Sequence, residues 1–449
     1  VLPPELLNKR NLLNAQMAEL ADAAAAFPDS AELAQKRSEI ESKIKGLTQQ
    51  IDSIDPQFDR LYKSNLSVSE TQKKLGNREL IIQYVQGSKS AFAVLISREG
   101  ATLYNLGSSS SIDSLITDYH QKLKTPGSEY GAASEMCYRT LVYPFRDNIE
   151  AYDHLVIIPD GKLSYLAFES LKKENTGEYL VHSHSISYSP SLSLWNLTAD
   201  NSEEFTGSEK KRMAAFAPVY SDEYDGTMRS EILENRLVNL KGATREAELI
   251  ALNFGGDFYT ENEASKWNFI EQTNNYRVYH LAMHTIYADE DTENSELVFQ
   301  NEEKLSFNEI YALHFPAEMV VLSACNTGLG QLREGEGMQS LSQALTYSGV
   351  QSSVYSLWPV PDKETAEIML SFYDNLKLGQ SKTTALAEAK RTFIAENPMK
   401  NHPYFWAGFV LQGNERAIID EPTYWPYLLG VGILLLIFVG VVLRKRSAS

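Results

Sequence analysis

Two residue types that can do covalent chemistry together stand at matching places in this chain. His284 directly follows the apolar run Val278-Tyr279-His280-Leu281-Ala282-Met283, and Cys325 directly follows Met319-Val320-Val321-Leu322-Ser323-Ala324. Each run reads as a buried strand, so each reactive residue falls where a strand ends. In open α/β sheets, ligands bind outside the carboxyl ends of the strands. If the two strands are neighbours, a thiol and an imidazole face one crevice. A cysteine nucleophile needs that pairing, a thiolate to attack and an imidazole to move protons. Either residue alone has a plainer reading. A cysteine beside a strand is commonly packing, as expected for Cys137, and a lone histidine at a strand end is commonly only hydrogen-bonded.

The residues after Cys325 favour a site. Asn326-Thr327-Gly328-Leu329-Gly330 and Gly335-Glu336-Gly337 cannot continue a strand. They make a loop that lets a substrate backbone approach closely. Nine acidic residues lie between His284 and Cys325, namely Asp289, Glu290, Asp291, Glu293, Glu296, Glu302, Glu303, Glu309 and Glu318, against Lys304 alone. An acidic rim draws basic segments toward the crevice, with Glu336 and Asp291 as candidate partners. An ordinary solvated acidic loop accounts for the charges equally well. Trp358, at the end of another strand candidate, either lines the crevice or belongs to the core. His182-Ser183-His184, taken with His280, has no acidic residue or cysteine at ligand spacing, so no metal or other cofactor is expected.

The elements that must position these residues alternate. Leu80–Val85 and Ala91–Ile96 are strand-like, with Gly87-Ser88 as the turn between them. His154–Ile158, Ala214–Ala217, Val278–Met283, Met319–Ala324 and Ser353–Leu357 are buried-strand candidates. Ala243–Phe254, Gly337–Tyr347, Asp362–Leu376 and Ser381–Ala395 read as helices. Strands alternating with helices predict an α/β fold with a largely parallel sheet.

The two ends differ from this middle. Leu6, Leu13, Met17, Leu20, Ala24 and Phe27, then Leu33, Ile40, Ile44, Leu47, Ile51 and Ile54, repeat one heptad-like, coiled-coil-type spacing. Pro28-Asp29-Ser30 breaks the run and Pro56 ends it, which predicts an α-helical hairpin within residues 1–75. At the other end, residues 425–443 hold no charge and are mostly apolar. At about 1.5 Å per residue they reach roughly 28 Å, enough for one transmembrane helix in a lipid bilayer. Tyr424, Trp425 and Tyr427 flank it, and Arg444, Lys445 and Arg446 open the short basic tail 444–449. The positive-inside rule then predicts a single-pass membrane protein with a cytoplasmic tail and an extracytoplasmic body. Val1 in place of methionine suggests a processed or partial chain.

Composition excludes some functions. The chain has 449 residues, 43% apolar, and 41 Lys and Arg against 59 Asp and Glu give a net charge of −18. An ordered core is expected, and binding to nucleic acid is not, because phosphates demand clustered basic residues. Two cysteines cannot build a disulfide framework.

Several motifs in order carry a resemblance. His280-Leu281-Ala282-Met283-His284, Leu322-Ser323-Ala324-Cys325-Asn326-Thr327-Gly328, Gly335-Glu336-Gly337, Ser356-Leu357-Trp358-Pro359-Val360 and His402 to Phe409 resemble blocks of the CHAT family. These are caspase-like domains often found beside tetratricopeptide repeats. Upstream, Ile158 to Leu163 and Leu240 to Thr244 are similar too. The likeness spans about residues 78–415, with the catalytic part at about 235–415. It implies a caspase-like αβα sandwich and, in active members, peptide hydrolysis by a Cys–His dyad. By motif, Cys325 is the nucleophile, His284 protonates the leaving amine, and backbone N–H groups of Thr285 and Cys325 hold the oxyanion. Thr285 stands where active members usually have glycine. Its N–H remains, while its β-branched side chain restricts the backbone. The expected function is a membrane-anchored cysteine peptidase acting on a protein or peptide substrate, with a regulatory protein partner on the N-terminal helices. The alternative is a CHAT pseudoprotease serving as an interaction scaffold or sensor.

Overall fold

The computed structural model describes residues 13, 31–54, 68–174, 176–200, 210–220, 240–286, 296–323, 337–358 and 360–418. Fourteen strands form among them: β1 (Glu79–Gln86), β2 (Ser90–Ile96), β3 (Ala101–Ser108), β4 (His154–Ile158), β5 (Ser185–Tyr188), β6 (Lys211–Ala217), β7 (Asp257–Thr260), β8 (Tyr276–Leu281), β9 (Thr285–Ile286), β10 (Glu296–Val298), β11 (Lys304–Ser306), β12 (Met319–Leu322), β13 (Ser352–Ser356) and β14 (Phe409–Gly413). Eleven of them make one sheet in the order β3-β2-β1-β4-β5-β14-β13-β12-β8-β6-β7, and β11-β10-β9 make a small second sheet. In the large sheet β1–β2, β2–β3 and β13–β14 pair antiparallel, and the remaining neighbours are parallel. The sheet is thus largely parallel, as expected, with three antiparallel pairings that the sequence did not announce.

The central strands are buried on both faces, as their near-continuous apolar runs require. Successive side chains alternate between faces. Ile81, Val156 and Ile158 pack with Trp195 on one side, while Leu80, Ile82, Leu155 and Ile157 join the main core on the other. The helices that cover the sheet include α1 (Ser109–Leu123), α2 (Gly131–Leu141), α3 (Lys241–Phe254), α4 (Gly337–Ser348), α5 (Asp362–Lys377) and α6 (Lys382–Glu396). In β8, His280 faces Glu246 of α3 and Tyr373 of α5. Its neighbour Tyr279 faces Phe269 and Phe315 on the opposite side. Helices thus lie on both faces around the strands that lead to His284 and Cys325.

Strand β14 joins the two halves. It pairs with β13 along its length and with β5 through Gln412 and Tyr188. Beside that junction a buried ion pair fixes α6. Lys390 Nζ lies 2.9 Å from Glu169 Oε1 with side chains 1% and 3% exposed. The Tyr188 hydroxyl donates to Glu169 Oε2 at 2.6 Å, so the carboxylate is bonded on both oxygens. Cys137 is buried in the main core, where burial pushes its thiol well up, as expected of a packing cysteine.

One expectation needs correction. Among the described residues no helix is long and apolar enough to cross a membrane. The transmembrane helix of the expected architecture, and the single-pass membrane localisation built on it, are withdrawn. Residues 425–443 and the tail 444–449 lie outside the described residues. The prediction rested on hydropathy and length, which record what a segment could do in lipid and not the structure that it takes. Of the hairpin, a helix at Ala31–Ile54 is described. The segment before it, Leu13 apart, lies outside the described residues.

Candidate active site

The histidine and cysteine strands are direct neighbours. β8 and β12 pair in parallel with Leu281 opposite Leu322, and Ser323 N–H continues the ladder by donating to Leu281 O at 3.2 Å. His284 lies three residues beyond Leu281, and Cys325 lies three beyond Leu322. Adjacent strands are about 4.8 Å apart, so β8 and β12 end side by side at one edge of the sheet. Cys325 itself, with Asp291 and Glu336, lies outside the described residues.

His284 is held by its backbone. Its N–H donates to the Tyr220 hydroxyl at 3.1 Å, and its carbonyl accepts from Val298 N–H at 2.9 Å. The Tyr220 hydroxyl in turn donates to Val298 O at 2.7 Å, and its ring centroid lies 4.8 Å from that of His284. One phenol therefore clamps the histidine to β10. Both side chains are buried, and burial pushes the Tyr220 phenol well up, so it stays neutral and able to donate. Tyr220 escaped the reading of the sequence. The available signal was its place three residues past Ala217, since β6 flanks β8 on the side away from β12.

Thr285 opens β9 opposite Leu297 of β10. Hydrogen-bonded and non-hydrogen-bonded pairs alternate along an antiparallel ladder. Because Val298 N–H bonds to His284 O, Thr285 falls at a non-hydrogen-bonded position and its N–H points away from β10. Thr285 is not among the residues with positive φ. In a strand a β-branched residue is at ease, so threonine in place of glycine brings no backbone strain here.

Asp362, the first residue of α5, is a second group the sequence did not flag. Burial pushes its carboxyl up, the charge of His284 draws it down, and Glu364 pushes it up again. It packs on Gly242, where an added Cβ would stand 3.0 Å from Asp362 Cβ and 3.3 Å from Oδ2. The Leu240–Thr244 block thus leaves room for a carboxylate within electrostatic reach of the histidine.

The described part of the acidic segment is differently employed. Glu296 pairs with Lys304, Glu309 with Lys266 and Glu318 with Arg277, each at 2.8 Å, and Glu303 accepts from Lys266 N–H. Lys266 and Arg277 come from outside the segment, which is why a count along the sequence overstated its free charge. Trp358 is wholly buried, its indole N–H donating to Tyr404 O at 3.0 Å, and its ring lies against Gly408. Of the other histidines, His184 Nε2 lies 3.2 Å from Ile149 O, far along the fold from His280 and its partner Glu246.

Tetratricopeptide repeat protein 28 of Homo sapiens is 23% identical over 297 residues, covering 58% of this chain and 12% of that protein. Its Mus musculus counterpart is 29% identical over 111 residues, covering 25% and 4%. The chain thus spans a small part of the curated relatives it matches. Among solved structures, the Saccharomyces cerevisiae separase–securin complex aligns with a TM-score of 0.39 and 11% identity, over 92% of this chain and 27% of that one. The complex of Porphyromonas gingivalis RgpB pro- and mature domains aligns with a TM-score of 0.40 and 8% identity, over 69% and 77%. The model of the CHAT domain matches residues 132–414, well over half of the chain, from α2 through β14. This chain belongs to the CHAT domain family.

Proposed function

We propose that this chain is a caspase-like cysteine peptidase domain that cuts protein or peptide substrates with Cys325 and His284. The observation that carries the reading is the β8–β12 register, with Leu281 opposite Leu322 and a reactive residue three positions beyond each. In this reading the Cys325 thiolate attacks the scissile carbonyl carbon. The developing oxyanion takes hydrogen bonds from the backbone N–H groups of Thr285 and Cys325, each such donor being worth about 3–4 kcal/mol in enzymes of this kind. The His284 imidazolium gives its proton to the leaving amine as the C–N bond breaks, leaving a thioester. His284 then takes a proton from water, whose oxygen displaces the thiolate and frees the acid product.

A basic residue before the cut bond is the preferred substrate feature, with Asp362 joining Asp291 and Glu336 as its carboxylate partners. Trp358 acts as packing beneath the site. Control through a regulatory protein partner on the N-terminal helices belongs to the same reading. The test is labelling by a thiol-directed peptidyl ketone carrying Arg, Leu or Asp at the terminal position. Labelling is expected at Cys325, fastest with Arg, lost in Cys325→Ala and strongly slowed in His284→Ala. A wild-type chain that ignores all three probes refutes the peptidase and leaves the interaction scaffold.

A further inference from the structure

A second cluster of chemically able residues gathers where β1 and β4 begin. Glu79 opens β1 and His154 opens β4, and the parallel register sets them side by side. Glu415, two residues past the end of β14, comes to the same place. His154 Nδ1 lies 2.5 Å from Glu415 Oε2 and 3.7 Å from Glu79 Oε1. One donor atom from each of the three residues lies within 4.8 Å of the others.

The outward sides of this group are already engaged. Gly76 N–H donates to Glu79 Oε2 at 2.8 Å, and His154 Nε2 lies 2.9 Å from Ser187 Oγ. With its proton on Nε2, the ring turns a lone pair at Nδ1 toward both carboxylates, the usual arrangement of a metal-binding histidine and its outer partner. Glu415 Oε2 is sealed from solvent, with His154 Nδ1 2.5 Å away and the Glu79 carboxyl beside it, although 29% of the side chain remains exposed. Burial, and then Glu79 beside it, pushes the Glu415 carboxyl well up. Two carboxyl groups and an imidazole crowded into one place cannot all carry charge without cost, and a cation lets both carboxylates ionise.

We propose that Glu79, His154 and Glu415 bind a divalent first-row cation, for which Zn²⁺ is the probe, and that the bound ion braces β1 and β4 to the end of β14. Tetrahedral zinc with bonds of about 2.0–2.1 Å holds its ligand atoms roughly 3.3 Å apart. The 3.7 Å pair is within a few tenths of that, and the 2.5 Å pair must open by about 0.8 Å. The exposed edge of Glu415 is the entry path. One imidazole and two carboxylates suit zinc, iron or manganese and select against metals that demand thiolate.

The experiment is calorimetric titration of Zn²⁺ into the chelator-stripped chain carrying Cys325→Ala, which removes the thiol as a competing ligand. One equivalent is expected to bind and to raise the thermal midpoint. Glu415→Gln and His154→Phe are each expected to weaken binding at least tenfold, and Ser187→Ala to weaken it about 10- to 100-fold through ring orientation. Glu309→Gln, an acid outside the cluster, is expected to change nothing. Absence of one-equivalent binding, or equal affinity in wild type and Glu415→Gln, overturns the proposal and leaves a proton shared between two glutamates. If circular dichroism shows Glu415→Gln unfolded, Glu79→Gln gives the same reading.

Discussion

Tyr220→Phe isolates one oxygen atom on which the histidine depends. The phenylalanine keeps the ring contact with His284 at a 4.8 Å centroid distance and removes only the hydroxyl. Two hydrogen bonds go with it, the 3.1 Å bond from His284 N–H and the 2.7 Å bond to Val298 O. Both residues are buried, so an N–H and a carbonyl are left without a partner. Each such group costs about 1–3 kcal/mol, so a fully rigid site would lose about 2–6 kcal/mol. Partial relaxation of the segment brings the expected loss to the lower half of that range, about 2–4 kcal/mol. Relaxation has its own cost. His284 and the Thr285 N–H move with the backbone, and a displacement of about 1 Å can slow a positioned reaction about 100-fold. Urea unfolding reads the first effect, and the rate of Cys325 labelling by the Arg ketone reads the second. A positioning role lowers kcat far more than it raises KM. A variant within about 0.5 kcal/mol of wild type that labels at an unchanged rate refutes the clamp.

Two further outcomes follow from buried charge. Lys390→Met leaves the Glu169 carboxylate buried with one hydrogen bond from Tyr188, and urea unfolding should show a loss of about 3–5 kcal/mol; a loss under about 1 kcal/mol would mean that the pair is not sealed from water. Asp362 has a raised carboxyl pKa, with burial as the largest cause, so the folded state holds its proton at a pH where the unfolded chain has released it. Stability therefore falls as pH rises from the ordinary carboxylate range through that raised value. Asp362→Asn should flatten this slope and be more stable than wild type at about pH 7, while losing preference for the Arg probe over Leu. A steeper slope in the variant would refute the assignment.

The sequence showed the layers of the fold more readily than their order. β4, β8 and β12 announce themselves as apolar runs bounded by turn formers, since a strand buried on both faces leaves nowhere for polar residues. The helices after β6 were legible from their period. Strand β14 was read as a motif block, because Phe409–Gly413 is short and follows a tight turn. Its insertion between β5 and β13 cannot be read from adjacency in the chain. At the site, His284 stood out by residue type, whereas Tyr220 and Asp362 matter through neighbours in space. The group of Glu79, His154 and Glu415 was invisible to any spacing rule, since its members are 75 and 261 residues apart. The membrane-span reading failed for a related reason, because a composition that permits a structure does not establish it.

The position of β14 also bears on how the molecule is made. Among the described residues it alone bridges the β3–β5 half of the large sheet to the β13–β7 half, yet it comes after every other strand in the chain. During synthesis both half-sheets can form while residues 409–413 are still to come, each with an open edge beside the vacant place. Pairing across so long a stretch of sequence is slow, and an open edge invites association with other chains. Closure of the sheet must therefore await residues 409–413. A ribosome-bound chain ending before Phe409 should expose β5 and β13 to proteolysis and to chaperones, and extension past Gly413 should protect both together.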